Sequence, residues 1–216
     1  MEIEHNRNDA TRLVIIGAGG HGRVVADAAM LNPSWKHIEF RDDFVGAVSK
    51  PRMPSITGSI SSYKAMPPEE ATQFIVALGD NKIRLSFTQS LIELGHTAAT
   101  IVHPSATISP FCKIQVGSAV LAGAIINIGA TVGVANIINS NCTIEHDCVL
   151  ADGVHVSPGA QLAGGCQIGQ CSWVGAGSCI VNQAHIGDHS IIGAGSVVIK
   201  SLASRGTFVG NPAREV

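Results

Sequence analysis

The stretch "IGQCSWVGAGSCIVNQAHIGDHSIIGAGSV", residues 168–197, repeats one six-residue pattern five times. Each repeat opens on an aliphatic residue and carries a small residue four positions later. When the pattern is extended in both directions, every sixth residue from Val102 to Val198 is aliphatic, seventeen of seventeen. At 45% hydrophobic residues overall, chance gives this about once in 10⁵. A period of six predicts a parallel β-helix, in which short strands stack around an aliphatic core.

The first and fifth residues of each hexad should face the interior, and the fifth is mostly small. Four of the six cysteines fill that fifth position: Cys112, Cys142, Cys148 and Cys166. Free cysteine commonly packs as a small apolar residue. No CxxC pair or zinc-finger spacing is present. We therefore expect free thiols in a reducing compartment.

The charge balance argues against several classes of partner. A net charge of −2 gives no reason to expect nucleic acid or an anionic membrane as a partner. The uncharged stretch 114–144 is long enough to span a bilayer. It is rich in Gly, Asn, Ser and Thr, however, and keeps the six-residue period, so we expect no membrane segment. With no signal peptide in "MEIEHNRNDATR", the sequence predicts a cytoplasmic protein.

The first hundred residues have a different character, since eleven of the fourteen Lys and Arg residues lie at or before Lys113. The segment "RLVIIGAGGHGRVVADAAM", residues 12–30, predicts a strand over 13–16, a glycine-rich turn and a helix. Its glycines fit G-x-G-x-x-G, the turn that lets a backbone approach a pyrophosphate at a helix N-terminus. Asp42 and Asp43 follow near the end of a second predicted strand.

A further strand over 73–78 and a helix of about thirteen residues complete a β-α-β-β-α unit. This half-Rossmann-like unit is about half the size that a dinucleotide fold needs. A nucleotide carrying one sugar is therefore favoured over NAD, and a tight turn that binds nothing remains open. We predict two domains, residues 1–100 and residues 101–216.

The segment "TIEHDCVLADGVHVSPG", residues 143–159, holds the charge of an otherwise uncharged region. Between positions 114 and 187 the formally charged side chains are Glu145, Asp147 and Asp152. His146 is third in its hexad and His155 is sixth, so both should point outward rather than into the core. Charge this scarce indicates a functional role.

Stacking of the coils predicts the neighbours of these histidines. One coil of three hexads holds eighteen residues, so Gly164 should lie about 4.8 Å above His146 and present a backbone N–H beside it. Ala176 and Ala194 continue a column that begins at Pro158. That column predicts a flat groove of small residues along one face of the prism.

Several segments together resemble one family. They are "GAGGHG" at 17–22, "DDF" at 42–44, "ALGDNKIR" at 77–84, "IVHPSATISP" at 101–110, "NSNCTIEHDC" at 139–148, "VHVSPGAQLAG" at 154–164 and "FVGNPAR" at 208–214. The chain resembles the bacterial sugar O- and N-acetyltransferases, including the sialic acid O-acetyltransferases and the PglD-type UDP-4-amino-sugar N-acetyltransferases. The resemblance runs from about residue 12 onward, and it implies a left-handed β-helix.

The resemblance also implies a homotrimer with active sites between subunits and acetyl-CoA as the acetyl donor. The residues that it assigns to the nucleotide-sugar are Gly20, His21, Asp42, Asp43 and Gly79, in the domain of residues 1–100. In residues 101–216 it assigns the catalytic base to His146, with Asp147 as its acidic neighbour. The resemblance also places Asn139 at a position that binds the sugar substrate in the family, and His155 at a position that contacts acetyl-CoA.

The expected reaction is direct transfer to a sugar amine. His146 takes a proton from the amine, and the N–H of Gly164 holds the oxyanion. Asp147 orients the imidazole, although Glu145 is an alternative orienter. The groove along Ala176 and Ala194 would hold the cofactor arm.

A nucleotide-linked 4-amino-4,6-dideoxy sugar of glycan biosynthesis is the favoured acceptor. Sialic acid or another sugar, acetylated on oxygen, remains the main alternative. A non-catalytic trimeric binding protein is a weaker one. A zinc carbonic anhydrase-like enzyme is disfavoured, because His185 and His189 take different hexad positions and have no third partner. We therefore expect no bound metal.

Overall fold

The structure, a computed structural model, describes residues 2–3, 10–43, 52–203 and 205–216. The helices and strands before the β-helix are β1 (Glu2–Ile3), β2 (Arg12–Ile16), α1 (Gly20–Met30), β3 (His37–Arg41), β4 (Ile56–Gly58), α2 (Ile60–Lys64), β5 (Thr72–Val76), α3 (Asn81–Glu93) and β6 (Thr97–Ala98). Strands β2 to β6 form one parallel sheet in the order β4-β3-β2-β5-β6. The predicted half-Rossmann-like fold is confirmed, and the structure adds β4, α2 and β6, which the sequence did not predict.

Buried apolar strands and small helical residues build this first domain. Strand β5 is buried along its whole length, and α1 buries small residues that let it approach the sheet closely. Helix α3 starts at an N-cap, since Asp80 Oδ1 accepts the Ile83 N–H at 2.9 Å. The carboxyl ends of β2, β3 and β5 meet at one edge of the sheet, where a parallel α/β fold commonly binds its ligand.

The second part of the chain is a prism of two-residue strands, each ending on a residue of the aliphatic ladder. Its seventeen strands are β7 (Ile101–Val102), β8 (Thr107–Ile108), β9 (Lys113–Ile114), β10 (Ala119–Val120), β11 (Ile125–Ile126), β12 (Thr131–Val132), β13 (Ile137–Ile138), β14 (Thr143–Ile144), β15 (Val149–Leu150), β16 (His155–Val156), β17 (Gln161–Leu162), β18 (Gln167–Ile168), β19 (Trp173–Val174), β20 (Cys179–Ile180), β21 (His185–Ile186), β22 (Ile191–Ile192) and β23 (Val197–Val198). Strands β24 (Thr207–Val209) and β25 (Arg214–Glu215) close its upper end. Each strand from β7 to β20 pairs in parallel with the strand eighteen residues further on, and β22 pairs with β24 sixteen residues further on. The fold is the parallel β-helix that the six-residue period predicted, with the left hand that the resemblance implied.

Three sheets form the faces of the prism. Face 1 contains β7, β10, β13, β16, β19, β22, β24 and β25; face 2 contains β8, β11, β14, β17, β20 and β23; face 3 contains β9, β12, β15, β18 and β21, with β1 on its lower edge. The turns from face 1 to face 2, such as 139–142 and 175–178, form the groove corner. The turns from face 2 to face 3, such as 145–148 and 163–166, form the histidine corner. The turns from face 3 to face 1, such as 133–136 and 151–154, form the docking corner.

The core of the prism explains the six-residue period. Fifteen of the seventeen ladder residues are buried, and Val102 and Ile108 at the bottom are partly buried. Several fifth-position hydroxyls donate to a carbonyl inside the corner, as Ser172 Oγ does to Gly187 O at 2.8 Å. A small polar residue therefore fills the corner without leaving a buried polar group unpaired.

The first domain lies against the docking corner and face 1. Helix α1 packs on Ile101, Ala119 and Leu121, and Leu85 of α3 packs on Ala135 and Cys171. The sheet's last strand ends at residue 98, and the prism begins at residue 101. Among the residues described, no helix is both long enough and apolar enough to cross a membrane.

Candidate active site

His146 and Asp147 lie together at the histidine corner. The Nδ1 atom of His146 is 2.9 Å from Asp147 Oδ2, and this hydrogen bond is the main reason that the pKa of His146 is raised above its usual value. The bond leaves Nε2 of the imidazole available for another partner. The His146 side chain is 59% exposed, as its outward hexad position predicted.

Gly164 covers the imidazole, as the eighteen-residue stacking predicted. A Cβ at this position would meet His146 Nε2, Cε1 and Cδ2, so only glycine leaves room for the ring. The next residue, Gly165, donates its N–H to His146 O at 2.8 Å. The N–H of Gly164 itself donates to no acceptor among the described residues. This N–H is therefore left without a protein acceptor there, and it belongs to the residue that packs on the imidazole.

The two acidic neighbours of His146 have different partners. Glu145 Oε2 accepts a hydrogen bond from Asn127 Nδ2, one coil below, at 2.9 Å. Asp147 bonds the imidazole instead, and its backbone has a positive φ of 59°. Gly129, one coil below, leaves the space that the Asp147 carboxylate occupies. Of the two orienters considered from the sequence, the geometry favours Asp147.

His155 begins a second group of polar residues on face 1 and the groove corner. Asn139 Nδ2 donates to His155 Nε2 at 3.2 Å. The imidazole stacks on Trp173, one coil above, with ring centroids 5.6 Å apart and planes 6° apart. Trp173 Nε1 donates in turn to Ser157 Oγ at 2.6 Å. This chain of contacts fixes the orientation of His155.

Two histidines of this region are neutral at physiological pH. Burial is the main cause that lowers the pKa of His155 to about 3, and the charge of Arg84 and the neighbouring His21 lower it further. Burial, and then Arg84, lower the pKa of His21 to about 4. A neutral imidazole can accept a hydrogen bond, which agrees with the Asn139 contact to His155.

A groove of about 430 Å³ runs up the groove corner from His155. Its walls include Pro158, Ala176 and Ala194, the column predicted from the sequence, and the rings of His155 and Trp173. Small side chains here leave a flat, mainly apolar channel. The residues present fit a pantetheine arm.

A second cavity of about 320 Å³ lies between the start of α3 and the upper coils of the prism. Gly79, Lys82, Trp173, His189 and Arg205 line it. Trp173 therefore borders both cavities. Asp80 lines it as well, so two cations stand against one carboxylate, and the net positive lining suits phosphate groups.

The glycine-rich turn and the paired aspartates lie at the carboxyl edge of the sheet. Asp42 Oδ2 accepts the Ala18 N–H at 2.7 Å, so this carboxylate holds the turn. Asp43 Oδ1 accepts the Ile60 N–H at 3.0 Å and holds the start of α2. The space beside Gly20 and Gly79 is open, so a Cβ there would meet nothing within 4 Å. Phe44 of the "DDF" segment lies outside the described residues.

The structure does not bring His146 and His155 together within one chain. His146 lies at the histidine corner, whereas His155 begins a strand of face 1. Face 3, represented here by Val149–Leu150, lies between them. A site that uses both histidines therefore needs a second chain.

The sequence analysis did not identify Trp173, Ser157, Arg84 or Asn81 as site residues. The sequence places Trp173 eighteen residues after His155, so the stacking rule could have found it. No such rule applies to Arg84 and Asn81, whose contacts cross between the domains. Within the described residues, no group of three or more His, Cys, Asp or Glu side chains is placed to hold a metal ion.

Two families match separate parts of the chain. The PglD N-terminal domain matches residues 12–91, and the bacterial transferase hexapeptide family, six repeats, matches residues 165–200. Together with the fold and the histidine corner, these matches define a hexapeptide-repeat sugar acetyltransferase. The chain belongs to that family, and the resemblance predicted from the sequence motifs is confirmed.

Solved structures extend the match over nearly the whole chain. The acetyltransferase domain of PglB from Neisseria gonorrhoeae FA1090, in complex with acetyl coenzyme A, is 37% identical, with a TM-score of 0.90 over 96% of this chain and 100% of that one. A mutant perosamine N-acetyltransferase from Caulobacter crescentus, in complex with CoA and GDP-perosamine, is 29% identical, with a TM-score of 0.87 over 94% and 96%. Both neighbours bind CoA or its acetyl ester, which supports acetyl-CoA as the co-substrate of this family.

A curated relative covers less of the chain. The UDP-N-acetylbacillosamine N-acetyltransferase of Bacillus subtilis (strain 168) is 34% identical over 119 residues. That stretch is 51% of this chain and 51% of the relative, so the chain matches about half of that protein's length.

Proposed function

We propose that this protein transfers the acetyl group of acetyl-CoA to the amino group of a nucleotide-linked 4-amino-4,6-dideoxy sugar. The observation that carries the proposal is the His146–Asp147 pair beneath the free N–H of Gly164. A base and an oxyanion donor then lie on adjacent rungs of the prism, which is the arrangement that acyl transfer requires. Of the relatives described above, one is a UDP-N-acetylbacillosamine N-acetyltransferase and another is a perosamine N-acetyltransferase in complex with CoA and GDP-perosamine.

The proposed mechanism is direct transfer without a covalent enzyme intermediate. The amine nitrogen attacks the thioester carbonyl carbon, and His146 Nε2 takes the proton that the nitrogen loses. The Gly164 N–H stabilises the negative oxygen of the tetrahedral intermediate. The C–S bond then breaks, the new amide C–N bond remains, and the imidazolium returns its proton to the CoA thiolate. Asp147 stabilises the imidazolium throughout.

The remaining assigned residues would hold the two substrates. The groove along Ala176 and Ala194 would take the pantetheine arm, with the His155 ring at its lower end. Gly20, His21 and Gly79 would face the nucleotide at the carboxyl edge of the sheet. The lysine and arginine of the second cavity would meet its phosphates.

Other groups of the site have narrower roles in this scheme. Asn139 would act through the hydrogen bond that orients His155. Asp42 and Asp43 would border the nucleotide, and each holds one backbone N–H of the first domain. All six cysteines are free, which fits action in the cytoplasm.

A homotrimer would complete the site. The histidine corner exposes Phe111, Ile128, Val181 and Ile199, at 71%, 55%, 38% and 56%. Such a row of apolar side chains marks a surface that a partner covers. Packing this corner of one chain against face 1 of the next would bring His146 of one subunit near the His155 site of its neighbour.

The test of the function is CoA release from acetyl-CoA by wild type and by His146→Ala. The acceptor panel contains UDP-4-amino sugars, a GDP-4-amino sugar, and sialic acid with its CMP form. We expect one amino sugar to turn over and His146→Ala to lose about 10²-fold or more in rate. Equal turnover by the variant would refute His146 as the base. Activity on sialate alone would instead make the protein an O-acetyltransferase.

Mixed trimers test whether the site is shared. His146→Ala and His155→Ala chains, carrying different affinity tags, are co-expressed, and trimers holding both tags are purified. If the site combines His146 of one chain with His155 of the next, each mixed trimer has one intact site and about one third of wild-type activity. Trimers of either variant alone are the matched controls. A site within one chain would give no recovery.

A further inference from the structure

Arg84 is a buried cation that links the two domains through backbone carbonyls. It is 1% exposed and lies in the first turn of α3. Its Nε donates to Ala135 O at 2.8 Å and its Nη2 to Gly153 O at 2.9 Å. Its Nη1 donates to Leu78 O at 3.1 Å and to Gly79 O at 3.4 Å. One guanidinium therefore joins two successive coils of the prism to the loop after β5.

Asn81 extends the same link to a third coil. Its Oδ1 accepts from Arg84 Nη2 at 2.8 Å. Its Nδ2 donates to both Cys171 O and Ser172 O at 3.2 Å. Cys171 is the residue stacked above Gly153 in the docking corner. Together the two side chains, called here the Arg84–Asn81 clamp, hold three successive coils.

The backbone segments that the clamp holds lie next to residues of the proposed site. Gly153 and Cys171 each precede a strand of face 1, and the residues two positions further on are His155 and Trp173. At the other end, the clamped loop contains Gly79, which borders the second cavity, as Asn81 itself does, whereas Arg84 lines neither cavity. We infer that Arg84 and Asn81 are positioning residues that fix the nucleotide-binding loop at a set distance from His155. The inference rests on the proposed function for the identity of that loop's ligand.

The clamp also brings to the site a positive charge that is hydrogen-bonded to no carboxylate among the described residues. Every partner of the guanidinium is a carbonyl or amide oxygen, and burial lowers the pKa of Arg84 only to about 10, so it is charged at neutral pH. After burial, the charges of Cys171 and Asp80 raise the pKa of Arg84. After burial, the charges of Arg84 and His21 lower the pKa of His155, and the charge of Arg84 lowers the pKa of His21. The clamp therefore helps to keep both imidazoles uncharged.

Kinetics of four variants test the positioning role. Arg84→Met removes the charge and the donors, and Arg84→Lys keeps the charge but loses the planar fork of donors. Asn81→Ala removes the contacts with the third coil. Leu91→Ala is the matched control, because Leu91 is a fully buried residue of the same helix that packs in the sheet core and does not touch the clamp. We expect Arg84→Met and Asn81→Ala each to lower kcat/KM for the amino sugar about 10-fold or more, with KM for acetyl-CoA within about twofold of wild type. A loss in Arg84→Met marks positioning, because Arg84 lines neither cavity.

The control separates positioning from general loss of stability. Leu91→Ala should lower Tm without changing the ratio of the two KM values. If Asn81→Ala and Leu91→Ala give the same kinetic pattern, the clamp is only structural and the inference fails. Asn81 is partly exposed, so this comparison holds even if Arg84→Met does not fold.

A second readout does not depend on turnover. The imidazole signals of His21 and His155 are titrated by NMR in wild type, Arg84→Lys and Arg84→Met. We expect Arg84→Lys to keep the low pKa values and Arg84→Met to raise them, because removing a nearby cation favours the charged imidazole. Unchanged titration in Arg84→Met would overturn the electrostatic part of the inference. This result stands even if no amino sugar is acetylated, so the failure of the proposed function can be distinguished from the failure of the clamp.

Discussion

Replacing Gly164 by alanine tests the arrangement of the proposed base most directly. The new Cβ would lie 2.5 Å from His146 Cε1 and closer still to Nε2, whereas ordinary contact begins near 3.4 Å. The ring must therefore move by about 1 Å, and a displacement of that size can cost about 10²-fold in rate. Because the His146 side chain is 59% exposed, it can swing outward without straining the fold. Gly164 has no positive φ, so alanine also suits its backbone.

The assay is steady-state CoA release together with thermal melting. We expect kcat of Gly164→Ala to fall about 10²-fold, with Tm and KM for acetyl-CoA close to wild type. His146→Ala supplies the matched background for a double-mutant cycle. If the alanine acts by displacing the imidazole, it costs little once His146 is gone. Wild-type activity of Gly164→Ala, or an equal loss in both backgrounds, would refute the reasoning.

Three further predictions follow from other contacts. Asp147→Asn should lower the pKa of His146, so the acid limb of the kcat/KM profile moves to lower pH and the plateau drops about 10-fold. A pH–rate series from about 5 to about 9 measures both effects, and an acid limb that does not move would contradict the prediction. Gly22→Ala should destabilise the first domain by about 1–3 kcal/mol, because the new Cβ would meet the carbonyl oxygen of Gly17; an unchanged melting temperature would contradict this. Trp173→Ala should join the two cavities that the Trp173 ring borders. We expect KM for acetyl-CoA to rise about 10-fold and the preference for acetyl-CoA over propionyl-CoA to weaken. Unchanged kinetics with both acyl-CoA donors would contradict this.

The prism could be predicted almost completely from the sequence because its contacts obey two fixed intervals. The next inward-facing side chain of the ladder comes six residues further along the chain. The residue stacked directly above comes eighteen residues further along. The position of Gly164 over His146 follows from the second interval alone. The same rule would have found Trp173 above His155, although it would not have shown that the two rings stack.

The first domain was predictable only where its strands have five residues. Strands Arg12–Ile16 and Thr72–Val76 are continuous buried runs, and the helices beside them show helical spacing. Strands Ile56–Gly58 and Thr97–Ala98 have three and two residues. Segments this short have no measurable period, and they form because they pair with an existing strand edge.

The polar contacts of the site were the least accessible from the sequence. Asp42 fits the spacing of a ligand-binding acid, yet one of its oxygens holds the turn at Ala18. Arg84 bonds carbonyl groups 51 and 69 residues away. Such contacts depend on how the two domains pack, and neither periodicity nor local spacing carries that information.

His146 and His155 show how closeness in sequence can mislead about closeness in space. Nine residues separate them, which is one and a half hexads, so one imidazole lies at a corner while the other begins a face. Face 3 of the prism separates them within the chain. Neither residue can approach the other without breaking the aliphatic ladder, because residues 150 and 156 are anchored in the core. A reaction that needs both must therefore take one of them from a neighbouring chain.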